Sequence, residues 1–107
     1  MVYWFYLILA IIFEVIGTTS MKLSDGFTKT LPSILMFVFY ILSLTALTFA
    51  LKKFDVSTAY AIWSGIGTAL ITVVGFYLFK ESLTPMKIVS IGLIIIGVIG
   101  LHLSGEH

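Results

Sequence analysis

Four long hydrophobic runs, separated by short polar segments, make up almost the whole chain. Crossing the hydrocarbon core of a bilayer takes about 20 mostly apolar residues in helical conformation. Because backbone groups in lipid must find their hydrogen-bond partners within the same segment, each run is predicted to be a helix. We therefore expect an all-α integral membrane protein, a single four-helix transmembrane domain over residues 1–107, with helices at about residues 3–21, 31–51, 56–79 and 86–103.

The composition agrees with this pattern, since 60% of the 107 residues are hydrophobic and 10% are charged. A soluble domain of this size has too much surface for its volume to bury so many apolar side chains. The chain has no cysteine, so we expect neither disulfides nor a thiolate metal site. We find no metal-ligand spacing, phosphate-binding loop or nucleophile constellation, and we expect no cofactor and no enzyme activity. A net charge of +1 without a dense basic cluster gives no sign of nucleic-acid binding.

The first hydrophobic run does not have the features of a cleaved signal peptide. It lacks a basic amino-terminal region, and Glu14 interrupts the apolar stretch. Tyr3, Trp4 and Tyr6 lie at its start, where aromatic side chains often anchor a helix at the membrane interface. We expect this run to stay in the membrane as the first helix.

The lysine distribution gives only a weak preference for one orientation in the membrane. Four helices place both termini on one side, and orientation follows the basic residues of short loops. Lys52 and Lys53 lie on the side of the termini, and the opposite side carries Lys22, Lys29, Lys80 and Lys87. Four against two leaves two interpretations open. Either the chain inserts both ways, or it has one orientation that the count does not identify.

Glu14 is the acidic residue that lies within a hydrophobic run, about eleven residues or roughly 16 Å from Tyr3 along the helix. A charged carboxylate at the bilayer centre costs roughly 2.5–3.5 kcal/mol on insertion scales. Residues with that cost usually face a bundle interior or a watery cavity and have a task there. We expect Glu14 to be the working site. The alternative is a permanently protonated Glu14 that hydrogen-bonds another helix.

The residues that share a helix face with Glu14 favour a cavity beside it. Leu7, Ala10, Gly17 and Thr18 lie three, four or seven positions away, on the same side of the helix. Three of these side chains are small and leave space next to the carboxylate. Small residues also let transmembrane helices pack closely, and that interpretation stays open beside the first.

The third helix carries an aromatic pair, Tyr60 and Trp63, three residues apart and therefore on one face. An aromatic face attracts organic cations by roughly 0.5–2 kcal/mol per contact. Gly65 and Gly67 weaken the helix beside the pair and are predicted to form a hinge. Tyr40, in the second helix, is expected to add a hydroxyl. Ordinary packing of the aromatics is the alternative.

The fourth helix has no charge in its interior and is predicted to serve packing. Ser90, Gly97 and Gly100 form nearly one stripe of small residues, which favours contact with a second subunit. Four helices leave little room to enclose a ligand site with access to both sides of the membrane. We therefore expect an oligomer.

Taken together, these residues resemble the small multidrug resistance family over essentially the whole chain. The resemblance rests on residues 14–22, from Glu14 to Lys22, on residues 24–28, on Pro32-Ser33, and on the segment Ala-Tyr-Ala-Ile-Trp-Ser-Gly-Ile-Gly at 59–67. The Gly17-Thr18 pair resembles the quaternary-ammonium branch. A Trp-Ala pair is usual there in the guanidinium-exporter branch.

The resemblance implies a proton-coupled antiporter that exports lipophilic and quaternary ammonium cations from the cell across the inner or plasma membrane. It implies an antiparallel, dual-topology homodimer, although a heterodimer with a related chain stays open. Two alternatives remain at this point. One is an exporter of small guanidinyl compounds, and the other is a non-transporting membrane assembly subunit or passive pore.

The resemblance also implies roles for single residues, with Glu14 binding a proton or a cation in competition. We expect Gly65 and Gly67 to be the hinge of the third helix, and Ser90 and Gly97 to be dimer contacts. Four positions depart from the family pattern, namely Trp4, Phe13, Leu44 and Ser90. The residues expected to surround the substrate beside Glu14 are Trp63, Tyr60, Tyr40, Thr18, Gly17, Ala10, Leu7, Trp4 and Ser43.

Overall fold

The computed structural model describes residues 2–104, and this part of the chain contains four α-helices and no strand. All four helices are long and apolar enough to cross a membrane. The predicted all-α integral membrane fold is therefore confirmed. The helices are α1 (Val2–Leu23), α2 (Thr30–Ala50), α3 (Val56–Leu78) and α4 (Pro85–Ser104).

Local capping explains where α4 begins, one residue before the start that hydropathy predicts. The Thr84 hydroxyl accepts a hydrogen bond from the backbone N–H of Lys87 at 3.2 Å, which satisfies one of the free donors of the first turn. Pro85 occupies the first helical position, where its missing N–H costs nothing and its fixed φ suits the helix.

Side-chain hydrogen bonds also stabilise the start of α3. The Asp55 carboxylate accepts hydrogen bonds from the Ser57 hydroxyl at 3.1 Å and from the Thr58 hydroxyl at 3.0 Å. A negative charge at this end of a helix is stabilised by the positive end of the helix dipole. The short segment between α2 and α3 thus turns the chain back into the membrane with its polar groups satisfied.

The turn between α1 and α2 reverses the chain within a few residues. Asp25, Gly26 and Phe27 have positive φ angles of 50°, 67° and 69°. The Ser24 carbonyl accepts the backbone N–H of Thr28 at 2.9 Å, and the Ser24 hydroxyl donates to the Met21 carbonyl at 2.7 Å. This compact reversal makes α1 and α2 antiparallel neighbours.

Small residues bring the helices together. α1 packs against both α2 and α3, and α3 packs against α4. Gly65 lets α3 approach α4 closely, since a Cβ there would lie 2.6 Å from Cγ2 of Val98. The buried apolar core consists of Leu7, Ala10, Ile11, Ala46, Leu47, Ala50, Phe54, Ala59, Ile62 and Val98.

The single chain is a thin slab with a large apolar surface. Its Cα atoms extend over 44 × 34 × 18 Å. α4 buries Val98 alone among its described residues and leaves large side chains such as Ile96 and Leu93 exposed. This surface has to face lipid or another protein chain.

Candidate functional site

A cavity of about 420 Å³ opens between α1, α2 and α3 around Glu14. Glu14 lies near the middle of α1 and is half-buried. The wall combines hydroxyl groups, aromatic rings and aliphatic side chains. It is formed by Glu14, Tyr40, Ser43, Leu44, Tyr60, Trp63, Ser64, Gly67, Thr68 and Ile71.

Hydrogen bonds hold one side of the Glu14 carboxylate. The Thr18 hydroxyl, one helical turn further along α1, donates to Glu14 Oε2 at 2.6 Å. The Tyr40 hydroxyl lies 2.5 Å from the same Thr18 oxygen. Because Thr18 has one hydroxyl proton and gives it to Glu14, Tyr40 must be the donor in the second bond. The result is a chain of donors, from Tyr40 to Thr18 to Glu14.

Two glycines make this arrangement possible. A Cβ at Gly67 would lie 2.8 Å from Glu14 Oε1, so the second carboxylate oxygen rests against the bare backbone of α3. A Cβ at Gly17 would lie 2.8 Å from Cδ1 of Tyr40, so the Tyr40 ring covers Gly17. Gly17 thereby positions the tyrosine whose hydroxyl begins the donor chain.

The aromatic pair of α3 forms the wall facing outward from the chain. The rings of Tyr60 and Trp63 meet edge to face, with centroids 5.5 Å apart and an interplanar angle of 76°. Tyr60 is 58% exposed, whereas Trp63 is half-buried. The buried indole Nε1 of Trp63 has no hydrogen-bond partner among residues 2–104. A cation between this pair and Glu14 would lie beside two aromatic rings and a carboxylate.

Among the described residues, Glu14 is the one acidic residue that lies within the membrane-spanning helices. The other acidic residues of the described chain, Asp25, Asp55 and Glu81, lie outside the four helices. Within residues 2–104 no group of three His, Asp or Glu side chains could hold a metal ion. The electrostatic attraction for a cation in this cavity therefore depends on one carboxylate.

Comparison with known proteins places the chain among transporters of the same size. The family model described as Small Multidrug Resistance protein matches residues 2–94. The chain belongs to the Small Multidrug Resistance family. It is a multi-pass protein of the inner or plasma membrane, with four transmembrane helices between residues 2 and 104.

Individual relatives of the family cover nearly the whole chain. It is 61% identical over 104 residues to the uncharacterized membrane protein YvaE of Bacillus subtilis, covering 97% of this chain and 87% of that protein. It is 46% identical over 102 residues to the multidrug resistance protein EbrB of B. subtilis, with coverage of 95% and 87%. It is 40% identical over 103 residues to a guanidinium exporter of Salmonella typhimurium, with coverage of 96% and 98%. The relatives thus include one named for multidrug resistance and one named for guanidinium export.

Within this family member, the cavity wall contains part of the predicted set of substrate residues. Glu14, Tyr40, Ser43, Tyr60 and Trp63 all line it, and so does Gly67, which was predicted as a hinge. Sequence reasoning missed the wall positions Ser64, Thr68 and Ile71, and it noted Leu44 only as a departure from the family pattern. The four-residue spacing 60, 64, 68 and the neighbouring 67, 71 on α3 would have pointed to these positions.

The other predicted substrate residues do not line this cavity. Trp4 lies near the start of α1, where its ring meets Phe54 at 4.9 Å and His102 at 5.4 Å between centroids. Leu7 and Ala10 are fully buried, and the Ala10 carbonyl accepts the Ser43 hydroxyl at 2.7 Å. Contact between these three residues and a substrate stays a prediction, as it does for Gly17 and Thr18.

The structure shows a continuous helix at the predicted hinge and open space at the predicted dimer contact. Helix α3 runs without a break from Val56 to Leu78, through Gly65 and Gly67. On α4, Ser90 is exposed, and nothing lies within 4 Å of a Cβ built at Gly97. A hinge at the first pair and a dimer contact at the second stay predictions.

Proposed function

We propose that this chain is a proton-coupled antiporter that exports organic cations, with Glu14 binding either a proton or the cation. The observation that carries the proposal is the Glu14 carboxylate in a cavity of about 420 Å³ beside the Tyr60–Trp63 pair. Export of small molecules is also what the names of the relatives EbrB and guanidinium exporter indicate. The relatives so named are transporters, and we assign no enzyme activity to the chain.

Competition at one carboxylate is enough to couple the two ions. When a proton binds Glu14, the carboxyl group becomes neutral and no longer attracts a cation. When a cation binds instead, it disfavours protonation of the carboxylate. Linkage of this kind is reciprocal, so each ion lowers the affinity for the other by the same factor. If the site changes the side to which it opens only when occupied, an inward proton gradient drives cations outward.

The dimensions and lining of the cavity favour bulky lipophilic and quaternary ammonium cations. Pockets of roughly 300–1,000 Å³ accommodate drug-sized ligands, and this cavity lies within that range. A quaternary ammonium ion has no N–H to donate, so ring faces and a carboxylate are the groups that recognise it. Tyr60, Trp63 and Glu14 provide both.

Small guanidinyl compounds are the second candidate substrate class. A guanidinium group with one substituent presents five N–H donors in one plane and needs several acceptors. Ser43, Ser64 and Thr68 place hydroxyl groups in the cavity wall beside Glu14. The 40% identity to a guanidinium exporter supports this candidate.

An antiparallel homodimer completes the proposal. In one chain the cavity is open where Tyr60, Ser64 and Thr68 are exposed, and the slab is too thin to enclose it. A second, inverted copy would cover this opening. It would also make the two end states of the transport cycle equivalent by symmetry, as inverted repeats do in larger transporters. The stripe of Ser90 and Gly97 on α4 is available for the contact between copies.

Proton release on cation binding tests the proposal directly. Tetraphenylphosphonium is added to purified protein in weak buffer, and released protons are measured with a pH indicator. We expect release from the native chain and none from Glu14→Gln, which should still fold. Glu14→Asp should retain some release because the carboxylate remains. A passive pore or an assembly subunit would bind no cation in exchange for protons, and absence of release from the native protein would reject antiport.

Transport into vesicles then separates the two substrate classes. Native protein in liposomes with an imposed proton gradient is given either tetraphenylphosphonium or guanidinium. Faster exchange of the bulky cation supports the first class, and faster exchange of guanidinium supports the second.

A further inference from the structure

A second cavity of about 220 Å³ lies between Glu14 and the loops on the side of Lys22. Ile71 lines both cavities. Thr18, whose hydroxyl donates to Glu14, lines the second one. The two cavities therefore adjoin each other at Ile71 and at the Thr18–Glu14 hydrogen bond. The full lining is Thr18, Thr19, Lys22, Ile71, Thr72, Gly75, Phe79, Glu81 and Lys87.

A row of hydroxyl groups on α3 runs through both cavities. Ser64, Thr68 and Thr72 are four residues apart and share one face. Each hydroxyl donates to the carbonyl one turn earlier, at 2.7–2.8 Å, so its oxygen remains an acceptor for water. Ser64 and Thr68 line the first cavity, and Thr72 lines the second. Since a water molecule occupies roughly 30 Å³ in the liquid, the second cavity has room for several waters.

Glu81 is held at the edge of the second cavity by the backbone of α3. A Cβ at Gly75 would overlap Glu81 Oε1, so the carboxylate rests directly on this glycine. The backbone N–H of Glu81 donates to the Gly75 carbonyl at 3.0 Å, after a turn in which Lys80 has a φ of 56°. Glu81 is exposed, whereas Gly75 is buried. The carboxylate thus has contact with solvent and a defined position.

We propose that the second cavity is a water-filled proton entrance to Glu14 and that Glu81 is its outer carboxylate. The inference rests on the proposed proton-coupled function. Size favours a proton over the organic cation as the species that passes, because this cavity has about half the volume of the first. Lys22 and Lys87 also line it, and the Glu81 carboxylate offsets part of their positive charge.

The proton transfer balances without any other reactant. A proton from bulk water binds the Glu81 carboxylate and leaves it to water in the cavity. Water then gives a proton to the Thr18 oxygen as the Thr18 hydroxyl passes its own proton to Glu14 Oε2 across 2.6 Å. One proton enters, one arrives at Glu14, and the hydroxyl is restored. Release of the Glu14 proton follows the same route in reverse.

Stopped-flow measurement of proton release tests the entrance. Full-length native protein is mixed with tetraphenylphosphonium, and both the amount and the rate of release are recorded. We expect Glu81→Gln to release the same amount of protons per bound cation but about tenfold more slowly, the lower end of the effect that a charged cleft has on the arrival of ions. Gly75→Ala should also slow release, because its methyl group must push the Glu81 carboxylate away.

Two matched variants serve as controls, one for the loss of a carboxylate charge and one for the addition of a methyl group to a helix. Asp25→Asn removes an exposed carboxylate from the same side of the membrane, outside this cavity. Gly92→Ala adds a methyl group where nothing lies within 4 Å. Both should release protons at the native rate. Tetraphenylphosphonium affinity at alkaline pH, unchanged in every variant, shows that the first cavity is intact.

The outcomes separate this inference from the proposed function. If Glu81→Gln releases protons at the native rate, the proposed proton entrance is rejected and the proposed antiport function is unaffected. Weaker tetraphenylphosphonium binding in Glu81→Gln, with an unchanged rate of release, also overturns it and makes Glu81 part of a cation site. If the native protein releases no protons at all, the proposed function fails and the entrance fails with it.

Discussion

The Glu14 carboxylate of α1 rests on Gly67 of α3, with Oε1 2.8 Å from where a Cβ at residue 67 would lie. Glu14 Oε1 can lie this close to the α3 backbone only because residue 67 has no side chain. The bond from Thr18 holds Oε2 at the same time. The position of the one acidic side chain within the four helices of residues 2–104 therefore depends on a glycine of a different helix.

Gly67→Ala is expected to displace the Glu14 carboxylate and weaken cation binding. The added methyl group overlaps Oε1, so the carboxylate must turn away from Gly67 and lose its place beside the aromatic pair. We expect tetraphenylphosphonium affinity to fall about tenfold, which corresponds to about 1.4 kcal/mol. Isothermal titration calorimetry measures it, with Gly92→Ala as the control. Native affinity in Gly67→Ala would show that this contact does not position the carboxylate.

The donor chain from Tyr40 through Thr18 predicts a graded loss of affinity. Thr18→Val keeps the shape of the side chain but removes the hydroxyl, and hydrogen bonds to charged groups contribute about 1.5–3 kcal/mol. The ionised Glu14 that binds a cation loses this support, so affinity for tetraphenylphosphonium should fall at least about tenfold.

Tyr40→Phe is the partner variant in this test. Tyr40 acts on Glu14 only through Thr18, so its loss should be smaller than that of Thr18→Val. In the double variant Thr18→Val/Tyr40→Phe, the loss should be no larger than in Thr18→Val alone. Additive losses would mean that Tyr40 contacts the cation directly.

Hydropathy alone predicted the four helices, because a bilayer leaves the backbone so few other solutions. Most of the helix boundaries that it predicted differ from the observed ones by one or two residues, whereas the start of α3 at residue 56 coincides. The start of α4 at Pro85, for example, depends on the Thr84 cap, which hydropathy does not include. Glu14 could also be identified from the sequence alone, because a charge inside an apolar run is costly wherever the neighbouring helices lie.

The cavity wall was harder to predict, because periodicity identifies one face of a helix but not what lies opposite. Leu7 and Ala10 share the face of Glu14 yet pack into the core, where the Ala10 carbonyl meets Ser43 of α2. Thr68 and Ile71 share a face of α3 with Tyr60 and Gly67, so helical spacing makes them candidates for the cavity wall. Which positions of such a face line the cavity, and which pack into the core as Leu7 and Ala10 do, depends on contacts between helices and requires the structure.

Trp63 is expected to matter more for bulky aromatic cations than for guanidinium. Its ring lies against Tyr60 in the cavity wall, and Trp63→Ala removes both apolar area and a cation–π partner. We expect tetraphenylphosphonium affinity to fall about tenfold, given roughly 0.5–2 kcal/mol for the cation–π contact plus the lost burial. Competition binding against both cations measures the difference.

Trp63→Phe is the matched variant, since it keeps a ring but removes the buried Nε1 donor. Its affinity for tetraphenylphosphonium should lie between those of the native protein and Trp63→Ala. An unchanged affinity in Trp63→Ala would remove Trp63 from the substrate site.

Gly65→Ala is expected to destabilise the fold through the contact between α3 and α4. The new methyl group would lie 2.6 Å from Cγ2 of Val98, and overpacking of this kind costs about 1–3 kcal/mol. Unfolding in mixed detergent, followed by circular dichroism, measures the loss. Val98→Ala should restore part of it in the double variant, because the smaller side chain makes room. If Gly65→Ala loses transport while its stability stays native, the hinge is the better explanation.

The last prediction concerns the orientation of the chain. Four lysines on one side against two on the other is a small bias, and a few added charges should reverse or fix it. We expect the native chain to insert in both orientations and to form antiparallel dimers. Two or three lysines added to loop 52–55 should bias every chain toward one orientation and lower activity, because an antiparallel dimer needs both orientations in equal number.

Co-expression of this variant with one biased toward the opposite orientation tests whether its activity is lost through the wrong topology or through a damaged fold. Lysines added to loop 24–29 would provide that partner, and the pair together should recover activity that neither has alone. The native chain has no cysteine, so a single cysteine added after residue 107 can be labelled from each side of the membrane to report orientation. Labelling of the native chain from one side only would reject dual topology. The arguments about Glu14 would stand in that case, because they depend on contacts within one chain. Full activity of a strongly biased variant on its own would instead indicate a parallel dimer or a monomer.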